Sequence, residues 1–180
     1  MTTKKQPAGA PELISARTAA RLAAVQALYQ MDMAGTDLND VIEEFLSERI
    51  SGKPNVDANP VAEEDATAAA AASGADRQFF ADILRGVLRR QREIDPLIDD
   101  QLAMGWRLVR VDSILRAVLR AGACELLERT DVPVRVVINE YINVAHFFFS
   151  EDEPRVVNGV LDKIARKVRA KDFEPKSGPA

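Results

Sequence analysis

Apolar side chains recur at every third or fourth position along most of the chain, which is the period of an amphipathic α-helix. The first stripe of such positions covers roughly 14–34 and ends near Gly35, a residue type that commonly follows a helix. Comparable stripes run over 38–46 and over 79–88. These three segments are predicted to be helices with one buried face and one polar face.

Four further helices are predicted from residue types that often begin a helix. Asp95 and Pro96 fit the N-cap and first residue of a fourth helix, and Asp112 fits the N-cap of a fifth. Pro133 and Pro154 precede the apolar stripes of a sixth and a seventh helix. The pattern therefore predicts an all-α fold of about seven helices without a sheet.

Two short segments allow a different interpretation. Residues 134–138 are rich in β-branched side chains and would suit a strand, but the apolar stripe that continues to Phe148 favours a helix. Asn158 and Gly159 would suit a hairpin turn, but apolar residues continue on both sides at helical spacing. We predict helices in both places, with Gly159 where two helices cross closely.

Residues 51–75 interrupt the helical period. Large apolar side chains are nearly absent there, so the segment cannot bury enough surface to offset the entropy of ordering it. We predict a flexible acidic and alanine-rich insertion within a single domain. The predicted division is a disordered leader at 1–12, a domain at 13–170 with subdomains at 13–93 and 94–170, and a tail at 171–180.

The composition excludes several classes of protein. The chain has 180 residues and is 47% hydrophobic, but no run approaches the roughly 20 apolar residues of a membrane span. A single cysteine, Cys124, excludes an internal disulfide and suits the reducing cytoplasm. With one histidine, His146, the chain lacks the ligands of a Cys/His zinc site. No catalytic or nucleotide-binding motif is present, so we expect no enzymatic activity, cofactor or metal.

The net charge of −4 is distributed unevenly. Residues 1–30 hold four basic side chains and one acidic one, and residues 31–75 hold ten acidic and two basic. The remaining residues hold 18 basic and 17 acidic side chains. The acidity is concentrated in 31–75, so the net charge does not exclude a nucleic-acid surface elsewhere.

A small set of residues suggests such a surface on the first helix. Arg17 and Arg21 are four residues apart and share a helix face near the N-terminus, where backbone N–H groups also favour phosphate. Tyr29 follows eight residues after Arg21, and a tyrosine ring can stack on an unpaired base. The alternative from spacing alone is a solvated arginine pair with a tyrosine in the core.

Five stretches together resemble one known family. They are AARLAAVQALYQMDMAG (Ala19–Gly35), FADILRGVL (Phe80–Leu88), LRAVLRAGACELL (Leu115–Leu127), DVPVRVVINEYINVA (Asp131–Ala145) and EDEPRVVNGVLDKIA (Glu151–Ala165). In this order and spacing they closely resemble the NusB family of bacterial transcription antitermination factors. The resemblance extends from about Arg17 to Val168.

The resemblance implies an all-α fold of seven helices in two small bundles. It also implies binding of the single-stranded boxA element in ribosomal RNA leader transcripts, together with NusE, a small-subunit ribosomal protein. The RNA-bound pair would help to assemble an antitermination complex on RNA polymerase with other Nus factors. A homodimer is a further possibility, and no cofactor is implied.

The resemblance also assigns residues to the RNA surface. Arg17, Arg21 and Tyr29 fall on the RNA-contacting first helix of the family. Arg155 stands where the family has a phosphate-binding lysine, and Asp152 matches an acidic position that borders the RNA and weakens its binding by repulsion.

Four features depart from the family pattern. Thr18 and Ala19 stand where members of the family often have arginine. Val156 replaces an aromatic side chain, Glu153 replaces a serine beside the RNA path, and His146–Phe149 replaces a stretch that begins with lysine. Each change weakens RNA binding by this chain alone, so we expect a stronger dependence on NusE.

Two alternative functions remain at this point. One is an adapter that keeps the NusE interface and has little RNA binding of its own. The other is the NusB-like domain of ribosomal RNA cytosine methyltransferases. Those enzymes continue into a domain with a glycine-rich cofactor loop and a catalytic cysteine, neither of which this sequence contains.

Overall fold

The computed structural model describes residues 14–51 and 73–175, and within these ranges the chain is helical and has no strand. The α-helices are α1 (Ala16–Ala34), α2 (Leu38–Glu44), α3 (Arg77–Asp99), α4 (Ser113–Glu128), α5 (Val134–His146) and α6 (Glu153–Val168). The predicted all-α class is confirmed. The predicted leader at 1–12, most of the insertion at 51–75 and the end of the tail lie outside the described residues.

Side-chain caps fix where several helices begin. Ser15, Asp37, Asp76 and Asp112 each accept a hydrogen bond from a backbone N–H in the first turn of α1, α2, α3 and α4. Each cap satisfies a donor that has no partner within the helix. At the other end of α1, Gly35 adopts a left-handed conformation with φ of 65°. The predicted end of the first helix near Gly35 and the predicted N-cap at Asp112 are therefore confirmed.

The third and fourth predicted helices form one helix. α3 runs without interruption from Arg77 to Asp99 and contains Pro96, so the helix start predicted at Asp95 and Pro96 is wrong. The side chain of Asp95 does not cap a helix. Instead its carboxylate accepts two hydrogen bonds from Arg120 on α4, at 2.8 and 2.9 Å. This merger accounts for six α-helices in the described residues, against about seven expected.

The segment 134–138 forms the start of α5, so the predicted helix is confirmed and the alternative strand is not formed.

The close helix crossing predicted at Gly159 is wrong, because a Cβ atom there would meet nothing within 4 Å. The close crossing lies at Gly122 on α4, where a Cβ would come within 2.7 Å of the Leu161 side chain on α6. Leu161 is fully buried, so it has little room to move away.

The N-terminal half of α1 is the centre of the core. Every residue from Thr18 to Val25 is buried, so this stretch is enclosed on all sides by α3, α4 and α5. Four of these eight residues are alanine, and small side chains let the neighbouring helices approach closely. A core with few aromatic residues is possible because the central helix is narrow.

The two ends of the 51–75 segment are held close together. The backbone N–H of Gly74 donates to the carbonyl of Ile50 at 3.4 Å, and Asp76 N–H donates to the carbonyl of Ala16 at 2.9 Å. The chain thus leaves and re-enters the fold beside the start of α1.

Within the described residues no helix is long and apolar enough to cross a membrane.

Two glycine substitutions are expected to change stability in opposite directions. Gly122→Ala forces a methyl group onto Leu161 and should lower the free energy of unfolding by about 1–3 kcal/mol. Gly159→Ala, in open space on α6, should raise it by up to about 1 kcal/mol through helix propensity. Urea titration followed by circular dichroism measures both. Equal changes at the two positions would contradict the close contact between α4 and α6.

Candidate nucleic-acid interface

The first turn of α1 presents one of the predicted RNA-binding residues to solvent. Arg17 is the second residue of α1, its side chain is exposed, and it makes no ion pair with the described residues. Ser15 caps this turn by accepting from Thr18 N–H at 3.1 Å. The positive end of the helix dipole and a solvent-facing guanidinium therefore coincide, which favours an anionic ligand.

Arg17 belongs to a group of three arginines around one aromatic ring. The guanidinium carbons of Arg17, Arg21 and Arg129 lie 5.2, 5.0 and 5.3 Å from the centre of the Phe79 ring. We call Phe79 with these three residues the arginine cluster. The ring is buried beneath the cations, so cation–π attraction offsets part of their mutual repulsion.

The second predicted RNA-binding residue lies in the interior. Arg21 is only 3% exposed and makes a two-pronged ion pair with Glu125 of α4, with Nε–Oε2 at 2.9 Å and Nη2–Oε1 at 2.5 Å. Its Nη1 lies 3.2 Å from Oε2 of Glu140 on α5. Burial works against the charge of Arg21, but the hydrogen bonds and charge of Glu125 raise the pKa of the guanidinium above its usual value. All three guanidinium nitrogens therefore face carboxylates inside the protein.

The same network holds the start of α1. Thr18 Oγ1 donates to Glu140 Oε2 at 2.7 Å, and Ser15 Oγ lies 2.7 Å from Thr18 Oγ1. The hydroxyl of Tyr141 is buried near Glu125 without a hydrogen-bond partner among the described residues. Burial and the negative charge of Glu125 raise the pKa of Tyr141 well above its usual value. Through this network α5 fixes the turn from which Arg17 projects.

Next to Arg17, Arg129 is held by a carboxylate at the end of α4. Its Nε and Nη2 donate to the two oxygens of Asp131 at 2.9 and 2.8 Å. This pairing, assisted by the charge of Arg17, lowers the pKa of Asp131 to about 2. Asp131 neutralises part of the cluster, which leaves Arg17 as its solvent-facing unpaired cation.

Tyr29 lies at a distance from the arginine cluster. Its side chain is 37% exposed, so the ring is partly available at the surface. Twelve residues of helix separate it from Arg17, which is about 18 Å along the axis and about 120° around it. Arg17 and Tyr29 therefore share a helix without sharing a face.

The remaining two predicted residues lie together at the start of α6. Asp152 is at the N-cap position and Arg155 is in the first turn, with Nη1 of Arg155 3.7 Å from Oδ1 of Asp152. Both side chains are more than four-fifths exposed, at 85% and 88%. Solvent screens such a pair strongly, so Arg155 remains free to bind a phosphate.

Cys124 and His146 behave as ordinary structural residues. Cys124 is buried where α4 passes Gly86 of α3, and burial raises the pKa of its thiol to about 12. A thiol that keeps its proton at neutral pH is a poor nucleophile. His146 lies exposed at the end of α5. Within the described ranges, no group of histidine, cysteine and carboxylate side chains could hold a metal ion.

The partners of Arg21 were not predicted from the sequence. Glu125 lies in an otherwise apolar stretch of α4, and a charged residue in a buried stripe is itself a signal for an internal ion pair. Glu140 gives no such signal, because it is only partly buried and its role depends on how α5 lies against α1. Spacing within one helix cannot reveal either contact.

Removing the buried cation should be costly. Arg21→Met leaves Glu125 charged and buried without a partner, so the free energy of unfolding should fall by about 3–5 kcal/mol. Arg17→Met is the matched control, since Arg17 lies over the same Phe79 ring but in solvent. This substitution should change the free energy of unfolding by less than about 1 kcal/mol. Thermal and urea unfolding compare the two. Similar losses in both variants would contradict the interior role of Arg21.

Comparison with known proteins agrees with this architecture. Residues 18–166 match the model of the NusB family. The chain is 54% identical over 157 residues to the transcription antitermination protein NusB of Rhodopseudomonas palustris strain TIE-1, over 87% of this chain and 83% of that protein. It is 48% identical over 170 residues to the NusB of Bradyrhizobium diazoefficiens, over 94% of this chain and 95% of that protein.

A solved structure is also similar. T. maritima NusB superposes with a TM-score of 0.66 at 29% identity, covering 88% of this chain and 97% of that one. The family resemblance and the expectation of a non-enzymatic transcription factor are thereby confirmed. The chain belongs to the NusB family of transcription antitermination proteins.

Proposed function

We propose that this protein binds single-stranded boxA RNA of ribosomal RNA leader transcripts together with NusE. The complex would then join RNA polymerase and other Nus factors in the cytoplasm and oppose premature termination. The proposal rests on the relatives that are named transcription antitermination proteins. On the chain itself, one observation supports it most: Arg17 is an exposed cation in the first turn of α1 and has no ion-pair partner among the described residues.

Within this proposal the predicted residues have different roles. Arg17 and Arg155 bind phosphates, and Tyr29 stacks on a base. Asp152, close to Arg155, weakens RNA binding by repulsion. Because Arg21 is buried in ion pairs, its proposed contribution to RNA binding is to hold α1, on which Arg17 lies.

Reversing the charge of Arg17 should weaken RNA binding without unfolding the protein. Arg17→Glu is expected to lower boxA affinity several-fold and to reduce the slope of log K against log salt by about 0.7 for one lost phosphate contact. Tyr29→Ala removes the stacking ring without adding charge, so it should lower affinity while leaving that slope nearly unchanged. Fluorescence anisotropy with boxA and scrambled RNA measures both effects, at protein concentrations below those at which a homodimer forms.

The control for this experiment is Lys163→Glu. Lys163 is an exposed cation on α6 that makes no ion pair with the described residues, so its reversal changes net charge equally. If Lys163→Glu weakens boxA binding as much as Arg17→Glu does, the contact assigned to Arg17 is wrong. Arg21 is unsuitable for this test, because its substitution is expected to destabilise the fold.

The segment between α3 and α4 is the proposed NusE surface. Trp106 and Val109 are 54% and 78% exposed, and Met104 beside them is also fully exposed. Exposed large apolar side chains so close together are typical of a protein interface. Arg107 and Arg110 alternate with them and are exposed, which suits the rim of such an interface.

This surface is held in place by Asp99 of α3 and Arg116 of α4. Asp99 Oδ1 accepts from Leu108 N–H at 2.6 Å, and Arg116 donates to the carbonyl oxygens of Leu108 and Val109 at 3.2 and 3.3 Å. The guanidinium of Arg116 is itself paired with Asp32 of α1 at 2.6 Å. A segment fixed in this way loses little entropy when a partner binds it.

Substitution of the exposed tryptophan should distinguish NusE binding from RNA binding. Trp106→Ala is expected to weaken NusE binding by at least tenfold, as is typical when a tryptophan at the centre of an interface is removed. Binding of boxA RNA to this chain alone should not change. Calorimetric titration with NusE measures the first effect and anisotropy the second. Unaltered NusE binding would contradict the assignment of this surface.

The adapter without RNA binding is the alternative that this set of variants also tests. If boxA RNA does not strengthen the complex of wild-type protein with NusE, and Arg17→Glu changes nothing, the adapter is the correct function. The methyltransferase alternative is less well supported, because the named relatives match over 83–95% of their own length and are antitermination proteins.

A further inference from the structure

The exposed side of α3 carries a row of arginines that the proposed boxA site does not use. Arg85, Arg89 and Arg92 are separated by four and three residues, so they lie along one face of the helix. All three are exposed. We call these residues the α3 arginine row. The protein as a whole is acidic, so a local run of cations is not explained by its average charge.

Acidic neighbours neutralise this row only in part. Arg85 and Arg92 make no ion pair with the described residues, and Arg89 shares Glu128 of α4 with Arg90. Three carboxylates of α3 lie near the row. Glu93 is paired with Arg90 at 2.9 Å and Asp95 with Arg120 at 2.8 Å, whereas Asp82 accepts only from the neutral amide of Gln78 and keeps its charge beside the row. Cations at this spacing repel each other, and a bound anion would relieve that repulsion.

The row lies next to the arginine cluster, with the paired carboxylates Glu128 and Asp131 between them. Arg129 of the arginine cluster follows directly after Glu128, the residue that binds Arg89. Phe79, which lies beneath Arg17 and Arg129, belongs to the first turn of α3. Cationic side chains therefore extend from the start of α1 across the end of α4 to the middle of α3.

A shallow groove adjoins the far end of the row. It is lined by Leu88, Gln91, Arg92, Asp95 and Pro96. Its walls combine apolar surface from Leu88 and Pro96 with a guanidinium at the edge. This combination suits a nucleotide, with the base against the apolar wall and the phosphate near Arg92.

We propose that the α3 arginine row is a second RNA-binding surface, which binds the sugar–phosphate backbone of single-stranded RNA that flanks the boxA element. The arginines are about 6 and about 5 Å apart along the helix axis, a spacing suited to successive phosphates of an extended strand. Contacts to phosphates read no bases, so this surface binds without sequence preference. The proposal rests on the proposed function only for the identity of the RNA that reaches the row.

The test compares a short RNA with a long one. The probes are a minimal boxA RNA, the same RNA extended by about 10 nucleotides on each side, and a scrambled version of the extended RNA. The variant is Arg85→Glu/Arg92→Glu, with Arg85→Gln/Arg92→Gln as a milder form. The control is Lys163→Glu/Lys171→Glu, two exposed cations that make no ion pair with the described residues.

The expected result is a selective loss on the long RNAs. The variant should bind both extended RNAs about tenfold more weakly, with the salt slope reduced by about 1.4 for two lost phosphate contacts. Its affinity for the minimal boxA RNA should stay within twofold of the wild-type value. Its circular dichroism spectrum should show unchanged helical content. The control should bind all three RNAs like the wild type.

Three outcomes would overturn the proposal. They are unchanged binding of the extended RNAs by the variant, an equal loss in the control, and an equal loss on the minimal RNA. Weakened NusE or polymerase binding with unchanged RNA binding would show that the row binds an acidic protein instead. If the wild type does not prefer boxA to scrambled RNA, the proposed function fails, but the extended scrambled RNA still tests the row.

Discussion

The ion pair between Arg21 and Glu125 is the contact on which the arrangement of the central helices depends. It links α1 to α4 in the interior, and Glu140 extends it to α5. Charges buried at such a depth are stable only when their geometry is satisfied, so the pairing of Arg21 with both carboxylates fixes the relative position of the three helices. The alanine-rich face of α1 would by itself permit sliding, because small side chains interlock weakly.

This interior network and the surface chemistry are connected through one turn of helix. Thr18 and Ser15 belong to the first turn of α1, and Thr18 is bound to Glu140. Arg17 lies in the same turn but faces solvent. An arginine in the interior therefore provides rigidity, while its neighbour four residues earlier provides an available charge, and the two tasks need opposite degrees of burial.

Much of the fold could be predicted from the sequence, because helix periodicity and capping residues are local properties. The end of α1 at Gly35 and the start of α4 after Asp112 follow from such signals. Pro96 misled the prediction because proline is common at a helix start, whereas here α3 continues through Pro96 and Asp95 is paired with Arg120 of α4 instead of capping a helix. Tertiary contacts of this kind leave no trace in spacing along one helix.

The candidate site was less predictable, for the same physical reason. Arg17 and Arg21 look equivalent on a helical wheel, and only the position of α4 and α5 decides that one is exposed and the other buried. The arginine cluster was also invisible, because Phe79 and Arg129 come from distant parts of the chain. A resemblance to a family transfers positions, but the burial of each side chain belongs to the particular fold.

The single cysteine has a consequence for following the motions of this protein. Cys124 lies between α3 and α4 against Gly86, with a thiol whose pKa is about 12, and the chain has no other sulfhydryl group. A thiol reagent can modify it only after these two helices separate. The rate of modification thus reports how often the α3–α4 seam opens, with no engineered label and without a competing signal from elsewhere in the chain.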